Sequence, residues 1–231
     1  CAADTAYNDI AIFYRTNAQS RQFEDFFRRD RIPYKVIGGL RFYDRKEIKD
    51  VMAYFRVLMN PSDSVSMKRI INVPQRSIGK STVEKIESFA IAHGVTFEQA
   101  LQGSAVGDLL ANAAKRKVAE FVKLLDELRD LLFQRTLSEM YHELLDRTGY
   151  VRELKEEGTD EARSRIENLQ EFDAMVGEFE TSYMELAEEG QQFRADALLP
   201  QFLENVALVG QENQNEVIGA AVGNISMMTL H

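Results

Sequence analysis

Residues 9–14, Asp-Ile-Ala-Ile-Phe-Tyr, form a short, nearly continuous apolar run rich in β-forming side chains. Such a run suits a strand buried on both faces, the pattern of a parallel sheet, and it commits the chain to more than a helical bundle. The period then changes. Thr16-Asn17-Ala18-Gln19 has the Thr-x-x-Gln form of a capping box, and Phe23, Phe26 and Phe27 follow at helical spacing, so a helix is expected over about 17–30. Ile32-Pro33-Tyr34-Lys35-Val36-Ile37 reads as a second strand, closed by Gly38-Gly39. Asp44 with Glu47 caps a further helix, whose apolar positions Ile48, Val51, Met52, Phe55 and Leu58 keep the helical period until Asn60-Pro61 stops it. Two more capping boxes are expected, Ser81 with Glu84 and Thr96 with Gln99.

From about residue 108 the strand signals vanish. Val118, Phe121, Val122, Leu125, Leu128, Leu131 and Leu132 make one amphipathic stripe, and Leu137, Met140, Tyr141, Leu144 and Leu145 make another, ending at Gly149. Ile166, Leu169, Phe172, Asp173 and Val176 continue the pattern, so this part is expected to be a helical bundle with acidic outer faces. Residues 210–216 read as an exposed loop and 225–230 as a returning buried strand. The expected class is α/β: a partial parallel-sheet domain with a large all-α insertion.

Composition excludes several classes. With 45% hydrophobic and 28% charged residues, 13 Gly and 4 Pro, the 231-residue chain is neither disordered nor fibrous. A chain of this length buries roughly 70% of the surface its unfolded form exposes. Cys1, the lone cysteine, cannot form an internal disulfide, no apolar run reaches the roughly 20 residues of a bilayer span, and a soluble, cytoplasmic protein is expected. The absence of an initial Met and the abrupt end at Thr229-Leu230-His231 suggest a piece of a longer protein. The net charge of -9 argues against nucleic acid only as an average. Residues 1–108 carry 16 basic and 13 acidic groups, net +3, and residues 109–231 carry 12 and 24, net -12.

In an open α/β sheet, ligands bind beyond the carboxyl ends of the strands, where Tyr14 and Arg15 sit. A tyrosine there can stack on a base and a guanidinium can hold a phosphate with two donors; equally, Tyr14 can be core and Arg15 a surface ion-pair partner. Gly79-Lys80-Ser81 imitates the end of a phosphate loop, but Pro74 stands where that loop needs Gly. Residues 72–81 read instead as a corner between helices. Such a corner either presents backbone N–H groups with Lys68, Arg69, Arg76 and Lys80 to a DNA phosphate backbone, or is a plain loop. Residues 15–49 hold ten Lys/Arg against five acids, with Phe42 and Tyr43 among them, which suits single-stranded nucleic acid or a solvated face. His93, His142 and His231 have no metal-ligand spacing.

Ile12-Phe13-Tyr14-Arg15-Thr16-Asn17-Ala18-Gln19-Ser20-Arg21 resembles motif IV of the UvrD/PcrA/Rep-type superfamily 1 DNA helicases. Ile32-Pro33-Tyr34 through Gly38-Gly39 to Phe42-Tyr43 and Glu47–Asp50, then Arg69–Gly79, then Arg165-Ile166-Glu167-Asn168-Leu169 agree with that family in the same order. Met228-Thr229-Leu230-His231 resembles the start of motif V. The resemblance implies an internal segment of an ATP-dependent helicase: residues 1–108 from the second RecA-like domain, 109–224 a helical 2B insertion, and 225–231 the returning strand. It implies that Tyr14 stacks on the adenine of ATP, that Arg15 reaches the γ-phosphate and is catalytic, and that Thr229 and His231 contact single-stranded DNA. The Mg²⁺ ligands and the phosphate loop would lie outside these residues, so the isolated chain is expected to hydrolyse no ATP. Implied partners are single-stranded DNA and its junction with duplex, the first RecA-like domain of the same protein, and replication or repair proteins. Two departures stand out: Ser77 replaces the first Gly of a Gly-Ile-Gly turn, and residues 206–224 match poorly. A non-catalytic DNA-binding module and an acidic helical adaptor are the alternative functions.

Overall fold

The apolar run at 9–14 becomes strand β1, Ala11–Tyr14, of a three-stranded parallel sheet in a computed structural model of the chain. The structure describes residues 5–15, 19–37, 42–103, 109–185, 193–215 and 223–229. Thr16, Gly38-Gly39, Cys1 and His231, each used in the sequence reading, lie outside them. The chain divides into two compact units, one of residues 1–49, 158–174 and 204–231 and the other of 50–157 and 175–203.

In the first unit, β1 is followed by helix α1, Ser20–Arg29, and strand β2, Tyr34–Ile37. Strand β3, Ile225–Thr229, returns from the far end of the sequence and lies between them, giving the order β1-β3-β2. The register pairs Tyr14 with Thr229, Phe13 with Met228, and Ile37 with Met228. Alternation along the strands sends Tyr14, Tyr34, Ile225 and Met227 to one face, where they bury against Phe27 of α1. The opposite face carries Phe13 and Ile37, 54% and 42% exposed. The expectation of burial on both faces is therefore corrected: among the described residues only one side of the sheet carries a core. Residues 42–44 form a 3-10 turn ahead of α2, Lys46–Met59, and Asp44 pairs with Lys49 at 2.7 Å.

The second unit is helical. It contains α3 (Ser64–Ile70), α4 (Lys80–His93), α5 (Phe97–Gln102), α6 (Asn112–Leu132), α7 (Leu137–Thr148) and α8 (Tyr150–Glu157). Helices α9, Asp160–Glu185, and α10, Ala195–Asn215, contribute their residues 175–185 and 195–203. The expected Thr96–Gln99 capping box is present, as is one at Thr136–Glu139. Ser81 does not cap α4; Gly79 does, through its carbonyl, which accepts from Thr82 and Val83. The exposed loop expected from residue 210 is also corrected, because α10 runs to Asn215. Gln and Glu are good helix formers, and extending an existing helix past one Gly costs far less than nucleating a new one. Aromatic packing of Phe55, Tyr141, Phe179 and Phe202 fills the core, and buried Glu180 accepts from the Ser138 N–H and hydroxyl at 2.8 and 2.6 Å. No described helix is long and apolar enough to cross a membrane.

Candidate functional site

Because all three strands run parallel, their carboxyl ends meet at one edge, and there the register sets Tyr14 beside Thr229. Tyr14 is only 4% exposed, its ring part of the core. Burial pushes its phenol pKa above the ordinary tyrosine value, with nearby Glu24 adding and Arg45 opposing. Arg15, the next residue, is exposed, and its guanidinium has no polar partner among the described residues. Its backbone N–H donates to Gln19 Oε1 at 2.9 Å, so Gln19 reaches back to the end of β1. The two neighbours read as one candidate pair thus face opposite ways, Tyr14 into the core and Arg15 into solvent.

Behind this edge lies a buried polar cluster that the sequence reading did not assemble. Ser20 Oγ donates to Glu24 Oε1 at 2.6 Å and accepts from Arg45 Nη2 at 2.7 Å. Arg45 Nη1 donates to Asn168 Oδ1 at 2.7 Å, and Asn168 Nδ2 donates to Glu47 Oε1 at 2.5 Å. Arg21, nearby in sequence, pairs with Asp25 and Glu171, each at 3.0 Å. Burial lowers the Arg45 pKa, while Glu24, Glu47, Tyr14 and Glu171 hold it up in that order. The available signal was Glu24, a charged residue on the α1 face that also buries Phe27. Ion pairs across more than a hundred residues leave no trace in local spacing.

The corner at 72–81 is shaped by side chains turned inward. Asn72 Oδ1 accepts from the N–H groups of Arg76 and Ile78 at 2.8 and 3.1 Å. Arg76, a candidate phosphate contact, spends its donors internally: Nη1 on the Ile70 and Pro74 carbonyls at 3.1 Å, Nη2 on the Tyr54 hydroxyl at 2.6 Å. Its guanidinium lies 5.9 Å from the Tyr54 ring centroid and 5.3 Å from that of Phe121. Tyr54 in turn donates to the Val73 carbonyl, and burial pushes its pKa up to about 12 against the opposing Arg76 charge. Arg69 pairs with buried Asp50 at 2.7 Å, which also accepts from the Tyr150 hydroxyl at 2.7 Å. Lys80 projects outward, 91% exposed and 3.6 Å from Glu84. Beside it Gly79 to Ser81 are exposed, no side chain caps α4, and a β-carbon at Gly79 would meet nothing within 4 Å. The corner therefore offers a solvent-facing helix N-terminus without a side-chain cap, and a lysine, on a base built by Arg76 and Arg69.

Tyr14, Arg15 and Thr229 thus come together in the first unit, and Arg69, Arg76 and Lys80 in the second. Thr229 has only its backbone described, and His231 lies outside the described residues. Among the described residues no group of His, Cys, Asp or Glu is arranged to hold a metal ion. The family model for the UvrD-like helicase C-terminal domain matches residues 1–231, the whole chain. The chain belongs to the UvrD-like helicase family. Similar proteins include the ATP-dependent DNA helicase UvrD1 of Mycobacterium tuberculosis, 41% identical over 234 residues, and the ATP-dependent DNA helicase PcrA of Bacillus subtilis, 39% identical over 227. The PcrA of Staphylococcus aureus is 35% identical over 225 residues. These alignments cover 97–99% of this UvrD-like chain but only 29–30% of each relative.

Proposed function

We propose that the protein carrying this chain is an ATP-dependent DNA helicase or translocase acting in replication or repair, in the cytoplasm. The whole-chain family match carries the reading, and the exposed Arg15, whose guanidinium has no polar partner among the described residues, at the carboxyl edge of a parallel sheet gives it a chemical form. A guanidinium so placed fits a terminal phosphate, where two donors stabilise charge that develops during phosphoryl transfer. ATP is then the substrate, its Mg²⁺ held by residues outside this chain. Arg15 supplies positive charge from the side opposite the phosphate loop. Tyr14 supports that edge from within the core, and stacking of its ring on adenine would need the ring to leave its buried place. Thr229 and His231 are assigned to the single-stranded DNA track that starts at the neighbouring strand end.

The strands come from 1–108 and 225–231, which supports assigning these residues to a second RecA-like domain and 109–224 to a helical insertion. The corner at 72–81 is assigned a phosphate-backbone contact near the junction of single and double strands, made by Lys80 and the α4 N-terminus and shaped by Arg69 and Arg76. Contacts of this kind hold a duplex without reading its sequence. The remainder of the protein, containing the first RecA-like domain, completes the ATP cleft.

The test is turnover. The full-length protein is expected to hydrolyse ATP in a DNA-dependent way and to separate a duplex bearing a single-stranded tail. The 231-residue chain is expected to hydrolyse none. Turnover by the isolated chain, or a full-length protein indifferent to DNA, contradicts the reading.

A further inference from the structure

Arg15 is tied to described residues on both sides in sequence. Ahead of it, Tyr14 is locked by its pairing with Thr229 and by the core. After it, Gln19 accepts the Arg15 N–H and Ser20, fully buried, fixes the start of α1. The hydroxyl of Ser20 is clamped between Glu24 and Arg45, and the direction of the Arg45 fork is set by Asn168 on α9. Asn168 suits that place because its amide both accepts from Arg45 and donates to Glu47, so it bridges a cation and an anion that face it from α2 and the turn before it. Ser20, Glu24, Arg45, Glu47 and Asn168 are each between 0% and 5% exposed. Apolar residues of the same volume would stabilise such a site at least as well, since desolvating charges offsets most of what their pairing returns. What the cluster offers that apolar packing cannot is direction, because each hydrogen bond fixes an angle as well as a distance.

We propose that Ser20 and Asn168 are positioning residues for Arg15, acting through Arg45 to hold the start of α1, and with it the Gln19 side chain that accepts the Arg15 N–H, so that the Arg15 guanidinium meets the phosphate. The proposal rests on the assignment of Arg15 to ATP made above. It ties the motif at 165–169, far along the sequence, to the nucleotide edge within one compact unit.

The test is a double-mutant cycle in the full-length protein, with DNA-stimulated ATP hydrolysis and DNA affinity both measured well below the unfolding temperature. Asn168→Asp keeps the shape but turns a carboxylate toward Glu47. Ser20→Ala removes one oxygen and keeps the proposal testable if Asn168→Asp fails to fold. Each is expected to lower kcat about 10- to 100-fold, as misplacement of a catalytic group does, with KM for ATP and DNA affinity changed less than about twofold. In an Arg15→Ala background each should lower kcat by no more than about a further twofold, because the group they position is gone. Full multiplicative losses in that background, or a rise in KM with kcat intact, overturn the proposal and leave the Arg15 assignment standing. An Arg15→Ala protein with unchanged kcat overturns both.

Discussion

Ser77 adopts a left-handed backbone with φ of 60°, a conformation in which its β-carbon crowds the following carbonyl. Glycine has no such clash, so Ser77→Gly is expected to raise stability by about 0.5–1 kcal/mol, the strain relieved less the extra freedom glycine gives the unfolded chain. A urea unfolding midpoint that fails to rise contradicts that account. Three residues on, in the same corner, Lys80 keeps its charge in solvent, whereas Arg76 is bound inward. Its partner Tyr54 gives a pH signature. The unfolded chain loses a tyrosine proton near pH 10, the folded one holds it to about pH 12, and stability present below pH 10 is lost as pH rises through that window. Wild-type stability should fall by on the order of 2–3 kcal/mol more than that of Tyr54→Phe between pH 10 and 12. Equal slopes for the two would contradict it. The sequence marks Arg76 as a cation near a turn but cannot say which way it points. Its direction depends on Tyr54 and Phe121, 22 and 45 positions away.

At the scale of elements, α4 is informative because it begins without a side-chain cap. Aspartate is the stronger N-cap, and Gly79→Asp meets no neighbour, so it should leave stability within a few tenths of a kcal/mol or improve it. It also sets a carboxylate where the DNA reading needs a phosphate. DNA affinity should fall about tenfold or more, and the slope of log K against log salt should become shallower by about one contact. Unchanged affinity would remove the corner from the DNA surface. Elements with local causes were legible in the sequence: β1, β2, α1, the Thr96–Gln99 cap and the stop of α2 at Asn60-Pro61. Two were not. Ser81 with Glu84 has the letters of a capping box, yet the turn set by Ser77 brings the chain into the helix two residues earlier, at Gly79. The polar stretch from 210 resembles a loop in its composition, but glutamine and glutamate are good helix formers and are compatible with a helix that has already started.

At the scale of the molecule, the returning strand at 225–229 was the one long-range feature the sequence announced, as an isolated apolar run after more than a hundred residues of helical pattern. Its place between β1 and β2 was not announced, and that place is what brings Thr229 next to Tyr14. The charge step survives as a physical asymmetry: the sequence from 109 onward holds 24 of the 37 acids, which leaves the first 108 residues with the positive excess a phosphate surface requires. The buried cluster of Arg45, Glu24, Glu47 and Asn168 was invisible at every local scale, because its members are spread from residue 24 to residue 168. Under the proposed function, exposed Arg15 supplies a positive charge to the ATP transition state. The direct measurement is DNA-stimulated ATP hydrolysis by the full-length protein carrying Arg15→Ala, with DNA affinity measured in parallel. Hydrolysis is expected to fall about 10³-fold or more, on the scale of a lost arginine finger, with DNA affinity within about twofold of wild type. A kcat within tenfold of wild type, or loss of DNA binding in step with hydrolysis, would contradict the claim.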